Sequence, residues 1–126
     1  MTRTPLKNHG FTLIELLIVI LILGILTMVA LPAYVSSLQS TRQSAANANA
    51  RALSNAVVSR AIASGSVDTT VADYAVDMGG SLPLNPCTGT TNGYIITQSG
   101  RVGAVTAVAG SYCGSWTPAV FNISFG

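Results

Sequence analysis

The chain opens polar and then turns abruptly apolar. From Phe11 to Leu31 there are 21 residues with a single charge, Glu15. A helix rises 1.5 Å per residue, so this run spans about 30 Å, the thickness of a bilayer's hydrocarbon core. Beyond it the large aliphatics thin out and a helical pattern of smaller residues takes over. Ala46, Ala50, Leu53, Val57 and Ala61 recur at spacings of 4, 3, 4 and 4, and Ala45, Ala52 and Ala56 widen the stripe. This is the period of an amphipathic helix, and its small side chains let a sheet approach closely. Ser64-Gly65 supplies the stop. The pattern predicts one helix over residues 11–64, about 80 Å long. Pro32 lacks a backbone donor and predicts a kink or local opening, with Gly24 as a second weak point.

After the helix, residues 65–93 read as a loop holding one short helix. Val71, Tyr74, Ala75 and Met78 give its face, Asp68 or Thr70 can cap it, with Thr70-x-x-Asp73 spelled like a capping box, and Gly79-Gly80 end it. Three strands follow, over 94–99, 102–109 and 120–125. Gly100-Arg101 joins the first two, and Phe121, Ile123 and Phe125 alternate with polar neighbours on the third. The fold class is α+β: a long N-terminal helix, membrane-spanning in its first half, packed on a small antiparallel sheet. The organisation expected is a leader over 1–10, an apolar helix over 11–35, its amphipathic second half over 36–64, and a globular head over 65–126.

Charge gives the apolar segment a direction. Only 8% of the residues are charged, against roughly 25% in an ordinary soluble domain. The net charge of +2 comes from Arg3 and Lys7 in the leader; the remaining four arginines balance four acids. The positive-inside rule places the leader in the cytoplasm and the head outside. No basic stripe of the kind phosphate backbones require is present, which argues against sequence-specific nucleic-acid binding. Arg42, Arg51 and Arg60 are nine apart and alternate sides of the helix, so they are expected to be solvated or to sit at contacts between subunits. A cleaved secretory signal fits poorly, because the apolar run is long and no small-x-small cleavage site follows Pro32-Ala33-Tyr34. A permanent signal anchor fits the hydropathy but leaves Glu15 unexplained.

A charged side chain at mid-membrane costs roughly 2.5–3.5 kcal/mol, and such residues usually have a partner. No basic side chain lies within helical reach of Glu15 on its apolar side. Cutting the chain after Gly10 would create an amine at Phe11, four residues before Glu15. That amine could pair with Glu15 of its own chain or of a neighbour, and in a low dielectric such a pair would select an axial register.

The stretch "GFTLIELLIVILILGIL", residues 10–26, closely resembles the N-terminus of type IV prepilins and pseudopilins. The resemblance implies a pilin roll. It implies that Gly10 is the last leader residue, and that Phe11 becomes the first mature residue and is N-methylated. Glu15 then sets filament register against a neighbour's Phe11 amine. The Gly24-to-Pro32 stretch often loses helical order in such filaments. The implied partners are other copies of the chain, a prepilin peptidase that cuts on the cytoplasmic side, a platform protein, an assembly ATPase, minor pilins and an outer-membrane secretin. The implied itinerary runs from inner membrane to cell-surface pilus.

Cys87 and Cys113 make an even count in a chain read as exported, which points to a disulfide around the first two strands. Many pilins carry such a C-terminal bridge and many major pseudopilins lack it, so the cysteines tilt toward a pilin. The alternatives are a pseudopilin of a secretion or DNA-uptake machine, and a minor or tip pilin acting as an adhesive module. The head has no histidine or lysine, and no nucleophile with an accompanying base; no enzyme, cofactor or metal role is expected. Asp68, Asp73 and Asp77 lack the dense oxygen ligands of a calcium loop. Asn122-Ile123-Ser124 has the glycosylation spelling, which an alternating strand explains better.

Overall fold

A computed structural model of the chain describes residues 9–126; the leader charges Arg3 and Lys7 lie outside the described residues. The elements are α1 (Leu13–Ser64), β1 (Tyr94–Ser99), β2 (Val102–Ala107) and β3 (Val120–Ser124), with short 3-10 turns at Val71–Ala75 and Ser111–Cys113. The chain divides into two units between Ser36 and Ser37.

In the first unit α1 is apolar on all sides and exposed on all sides. Leu17, Ile18, Val19 and Ile22 each leave about half of their surface uncovered. The helix begins at Leu13, two residues later than the pattern predicts, because Thr12 serves as its cap. It then continues without a break through Gly24 and Pro32. The Thr27 hydroxyl donates to the carbonyls of Leu23 and Gly24, both at 3.0 Å. This polar group is thereby satisfied within its own helix, as an apolar environment requires.

In the second unit the sheet order is β1-β2-β3, antiparallel throughout. Gly100 takes φ +63° at the first position of the two-residue β1–β2 turn, the left-handed conformation a twisted hairpin favours. Alternation places Tyr94, Ile96, Val105, Ala107 and Ile123 inward. They form one core with Ala46, Ala50, Leu53, Val57 and Ala61, all five of which are fully buried. At Gly103 a Cβ would lie 2.8 Å from the Thr97 carbonyl oxygen, so only glycine fits there.

Four expectations need correction. Ala52 is exposed: it lies about 240° around the helix from Ala46, off the buried stripe. The short helix is a single 3-10 turn, and Thr70 makes no side-chain cap bond; instead the Asp68 carboxylate accepts the Thr70 N–H at 2.8 Å, a local Asx turn. β2 ends at Ala107, because Gly110 packs so closely on the Cys87 backbone that no side chain fits between them. β3 ends at Ser124, after which the Phe125 N–H donates to the Arg101 carbonyl at 3.2 Å.

Replacing the fully buried Leu53 by alanine should cost about 3 kcal/mol through lost burial and a cavity. Urea unfolding of the detergent-solubilised chain, followed by near-UV circular dichroism, measures it. A cost below about 1 kcal/mol would mean that the stripe is not the core.

Candidate functional site

The segment from His9 to Glu15 is built around a helix start. Thr12 is the N-cap and Glu15 the third helical residue. The Glu15 N–H donates to the Thr12 hydroxyl at 3.3 Å and to the Thr12 carbonyl at 3.1 Å. The Thr12 hydroxyl in turn lies 3.5 Å from the Glu15 carboxylate, with hydroxyl as donor. The residues T-L-I-E thus work as a capping arrangement, with an acid placed where the helix dipole favours it. Thr12 was legible only as spelling: the same T-x-x-acid pattern stands at Thr70–Asp73, where it caps nothing.

Before this cap the chain is non-helical. Gly10 has no heavy atom within 4 Å of where a Cβ would sit, and Phe11 is 88% exposed. His9, Gly10, Phe11 and Glu15 line one open recess. The structure therefore brings Gly10, Phe11 and Glu15 together at an accessible, non-helical peptide next to a helix start. In the uncut chain the Phe11 nitrogen is an amide, and Glu15 has no ion-pair partner among the described residues.

The second unit is fastened by the disulfide that the two cysteines announced and by contacts that the sequence did not. Cys87 and Cys113 form a disulfide with Cα atoms 5.0 Å apart. Between them and the sheet sits Asn85, fully buried. Its side-chain amide donates to the carbonyls of Gly93 and Val108, and its side-chain oxygen accepts the Cys87 N–H at 2.9 Å. One side chain thus ties the cysteine loop to both chains at the open end of the β1–β2 hairpin. The only trace in the sequence is the Asn85-Pro86 pair, which signals a turn but not a hub.

A polar edge of α1 grips the loops in the same way. Asn49 donates to the Leu84 carbonyl at 2.9 Å, Gln43 to the Cys113 carbonyl at 2.8 Å, and Asn47 accepts the Ala119 N–H at 3.1 Å. The three helix arginines also have partners within the chain. Arg42, Arg51 and Arg60 lie 5.8, 6.0 and 4.8 Å from the ring centres of Tyr112, Phe121 and Tyr74. Arg60 also pairs with Asp77 at 2.9 Å. Reading these arginines only as solvated or as contacts between subunits thus missed their aromatic platforms.

The acids do not converge. Among the described residues no group of three or more His, Cys, Asp or Glu side chains is placed to hold a metal ion. Asp68 is held below the usual carboxylate range, first by the Thr70 N–H and then by the neighbouring Asp73 carboxyl. Asp73 is pushed up, first by the hydrogen-bonding demand of the neighbouring Asp68 carboxylate and then by its charge. Burial raises Tyr74 and Tyr94 above the ordinary phenol value. The Tyr74 hydroxyl donates to the Asp68 carbonyl at 2.8 Å. The Tyr94 hydroxyl is buried without a hydrogen-bond partner. The Asn49 side chain lies close enough to draw its pKa slightly back down, but the Asn49 amide is committed to Leu84.

Residues 5–31 match the family model described as a prokaryotic N-terminal methylation motif. Among curated proteins, the chain is similar to a type IV major pilin protein of Myxococcus xanthus, 47% identical over 47 residues, covering 37% of this chain and 21% of that protein. It is also similar to the type IV narrow pilus major component of Thermus thermophilus, 30% identical over 105 residues, covering 83% of this chain and 90% of that one. No solved structure matches it significantly.

Asn85→Leu should cost at least about 2 kcal/mol, since it strands the Val108 carbonyl and the Cys87 N–H; a melting temperature unchanged from the parent would refute the hub. The raised tyrosines set an alkaline limit. The folded state binds their protons more tightly than the unfolded state, so this stability is fully present below the unfolded pKa. It is lost as pH rises through the folded values. The melting temperature should therefore be level up to about pH 9 and fall above about pH 10. Tyr94→Phe removes the unpaired hydroxyl and should melt at or above the parent temperature.

Proposed function

This chain belongs to the type IV pilin family and is a structural pilus subunit, and we propose that it is cut after Gly10 and polymerised through its N-terminal helix into a surface filament. The observation that carries this reading is the exposed, apolar first half of α1, which starts at an accessible Gly10–Phe11 peptide and contains one charge. Such a segment is stored in a membrane and is buried afterwards by other copies of itself. The motif and the helix fit a membrane-anchored precursor. A prepilin peptidase would remove residues 1–10 from the cytoplasmic side and methylate the Phe11 amine. A platform protein and a cytoplasmic ATPase would drive assembly, minor pilins would join the fibre, and a secretin would serve as exit in a cell with two membranes.

Cleavage changes what surrounds Glu15. In the precursor its carboxylate faces only its own helix start. After cleavage a cationic amine appears at Phe11. A neighbour's amine delivered to Glu15 inside an apolar bundle sets the axial register, because any other register leaves a charge unpaired in low dielectric. Opening of residues 24–32 belongs to the same step. Pro32 already withholds one backbone bond, and Gly24 resists helix formation more than any neighbour in the run. The disulfide-bonded head would coat the outside. Both named relatives are major pilus components, which favours a pilus over a secretion pseudopilus or an adhesive tip.

Glu15→Gln separates the two roles of this residue, since glutamine still suits a capping arrangement but carries no charge. The variant should be processed and methylated normally. Leaving one partner of a buried pair alone costs roughly 3–5 kcal/mol, so sheared fibre should fall by far more than tenfold. Normal fibre yield from that variant would remove the register role.

A further inference from the structure

We propose that adjacent copies meet through their second units, with Val76 and the Asp68–Asp73 pair of one copy seated against an apolar recess and the Arg101 guanidinium of the next. The proposal rests on the polymer reading above and adds to it the contact between heads. Its two halves lie on opposite sides of α1. Arg60 marks one side: its guanidinium stacks on the Tyr74 ring at 4.8 Å and pairs with Asp77 at 2.9 Å, so the loop that carries the acids lies there. Ile62, two residues on, is rotated about 200° from Arg60 and displaced only about 3 Å along the axis. It lines the recess with Ala61, Phe125 and Arg101. The two halves therefore sit at one level of the helix and face apart.

Each half is shaped in advance. Val76 follows the Val71–Ala75 turn and is 79% exposed. Around it the Met78 N–H donates to the Tyr74 carbonyl at 3.1 Å, and the Gly80 N–H to the Ala75 carbonyl at 2.8 Å. Asp68 is fixed twice, by the Thr70 N–H on its carboxylate and by the Tyr74 hydroxyl on its carbonyl. Groups held in place beforehand lose little freedom on binding. The recess has a volume of about 370 Å³, wide enough for a valine side chain, and Ile62 on its wall is exposed. One bare valine is ordinary on a protein surface. A bare valine beside free acids, at the same level as a recess beside a free cation, makes a matched pair of surfaces.

Charge makes the match specific. Arg42 and Arg51 stack on rings, and Arg60 has both a ring and a carboxylate. Arg101 has neither among the described residues. Of the acids in the second unit, Asp77 is paired, whereas Asp68 and Asp73 lie beside each other. Two neighbouring carboxylates raise one another's cost of ionisation, and a cation relieves it. Arg101 of the same chain lies across the helix from them, so the cation comes from the next copy. Such a contact joins two different patches. Each copy offers both halves, so the contact extends from copy to copy and does not close at a dimer.

The test uses the full chain, expressed in cells and sheared from their surface as fibre. The two native cysteines are bonded to each other and none is free, so a short bismaleimide reacts only with introduced thiols. Fibre from the double variant Ile62→Cys, Val76→Cys should give a ladder of covalent multimers on a denaturing gel, and fibre from each single variant should give monomer. Monomer alone from the double variant overturns the contact; so do dimers from a single variant, which mark a face paired with itself. A charge exchange reads the same contact without cysteines. Arg101→Glu and Asp73→Arg should each lower sheared fibre by about tenfold or more, since like charges then face each other, and the two together should restore most of it. Normal yield from either single variant, or no recovery in the pair, overturns the ion pairing. Absence of fibre from the parent chain would instead sink the polymer reading, and the contact with it.

Discussion

The structure depends on one constraint: water is a poor environment for the first half of α1. From Leu13 to Val35 the large side chains point outward in all directions with nothing of their own chain to cover them. The second unit builds its own core from other residues. The surface must be covered from outside, by lipid or by other copies of the same helix. Under the proposed function the chain serves both environments in turn. The span is bilayer length, its hydroxyl Thr27 is satisfied internally, and its single charge lies at the end where a new amine would appear.

The second half of the same helix solves a different problem. Its buried stripe is mostly alanine, which lets the sheet pack close but supplies little apolar area per residue. Stability is made up by polar fastening. Asn85 joins the cysteine loop to the hairpin, Gln43, Asn47 and Asn49 hold three loop segments to the helix, and the disulfide closes a separation of 26 residues. A cross-link over that distance contributes about 3 kcal/mol in the chain-entropy model. The head is thus a small unit of the kind that needs a staple.

Periodicity made the large features legible. The stripe at Ala46, Ala50, Leu53, Val57 and Ala61 and the three strands are repeating patterns, so the alternation of burial could be read before any coordinates. What escaped was chemistry between distant residues. Nothing in "LPLNPCTG" shows that Asn85 will face both Gly93 and Val108, because that depends on how a loop is brought onto a hairpin. The arginines looked unattached for the same reason: Tyr112 and Phe121 lie 70 residues after Arg42 and Arg51. The capping pattern failed in an instructive way. Thr12–Glu15 and Thr70–Asp73 have the same spelling, but only the first precedes a helix long enough to orient the N–H groups that a cap receives. At Thr70 the Asx turn of Asp68 competes for the same backbone, and a single 3-10 turn does not outbid it.

The account's central claim is that this chain loses its leader and leaves the membrane as a polymer. Intact-mass and N-terminal analysis of protein sheared from the cell surface tests it most directly. The account predicts a chain that begins at Phe11, carries one added methyl group, and lacks the two hydrogens removed by the Cys87–Cys113 bond. A chain that still begins at or beside Met1, and is found only in the membrane fraction, would contradict it.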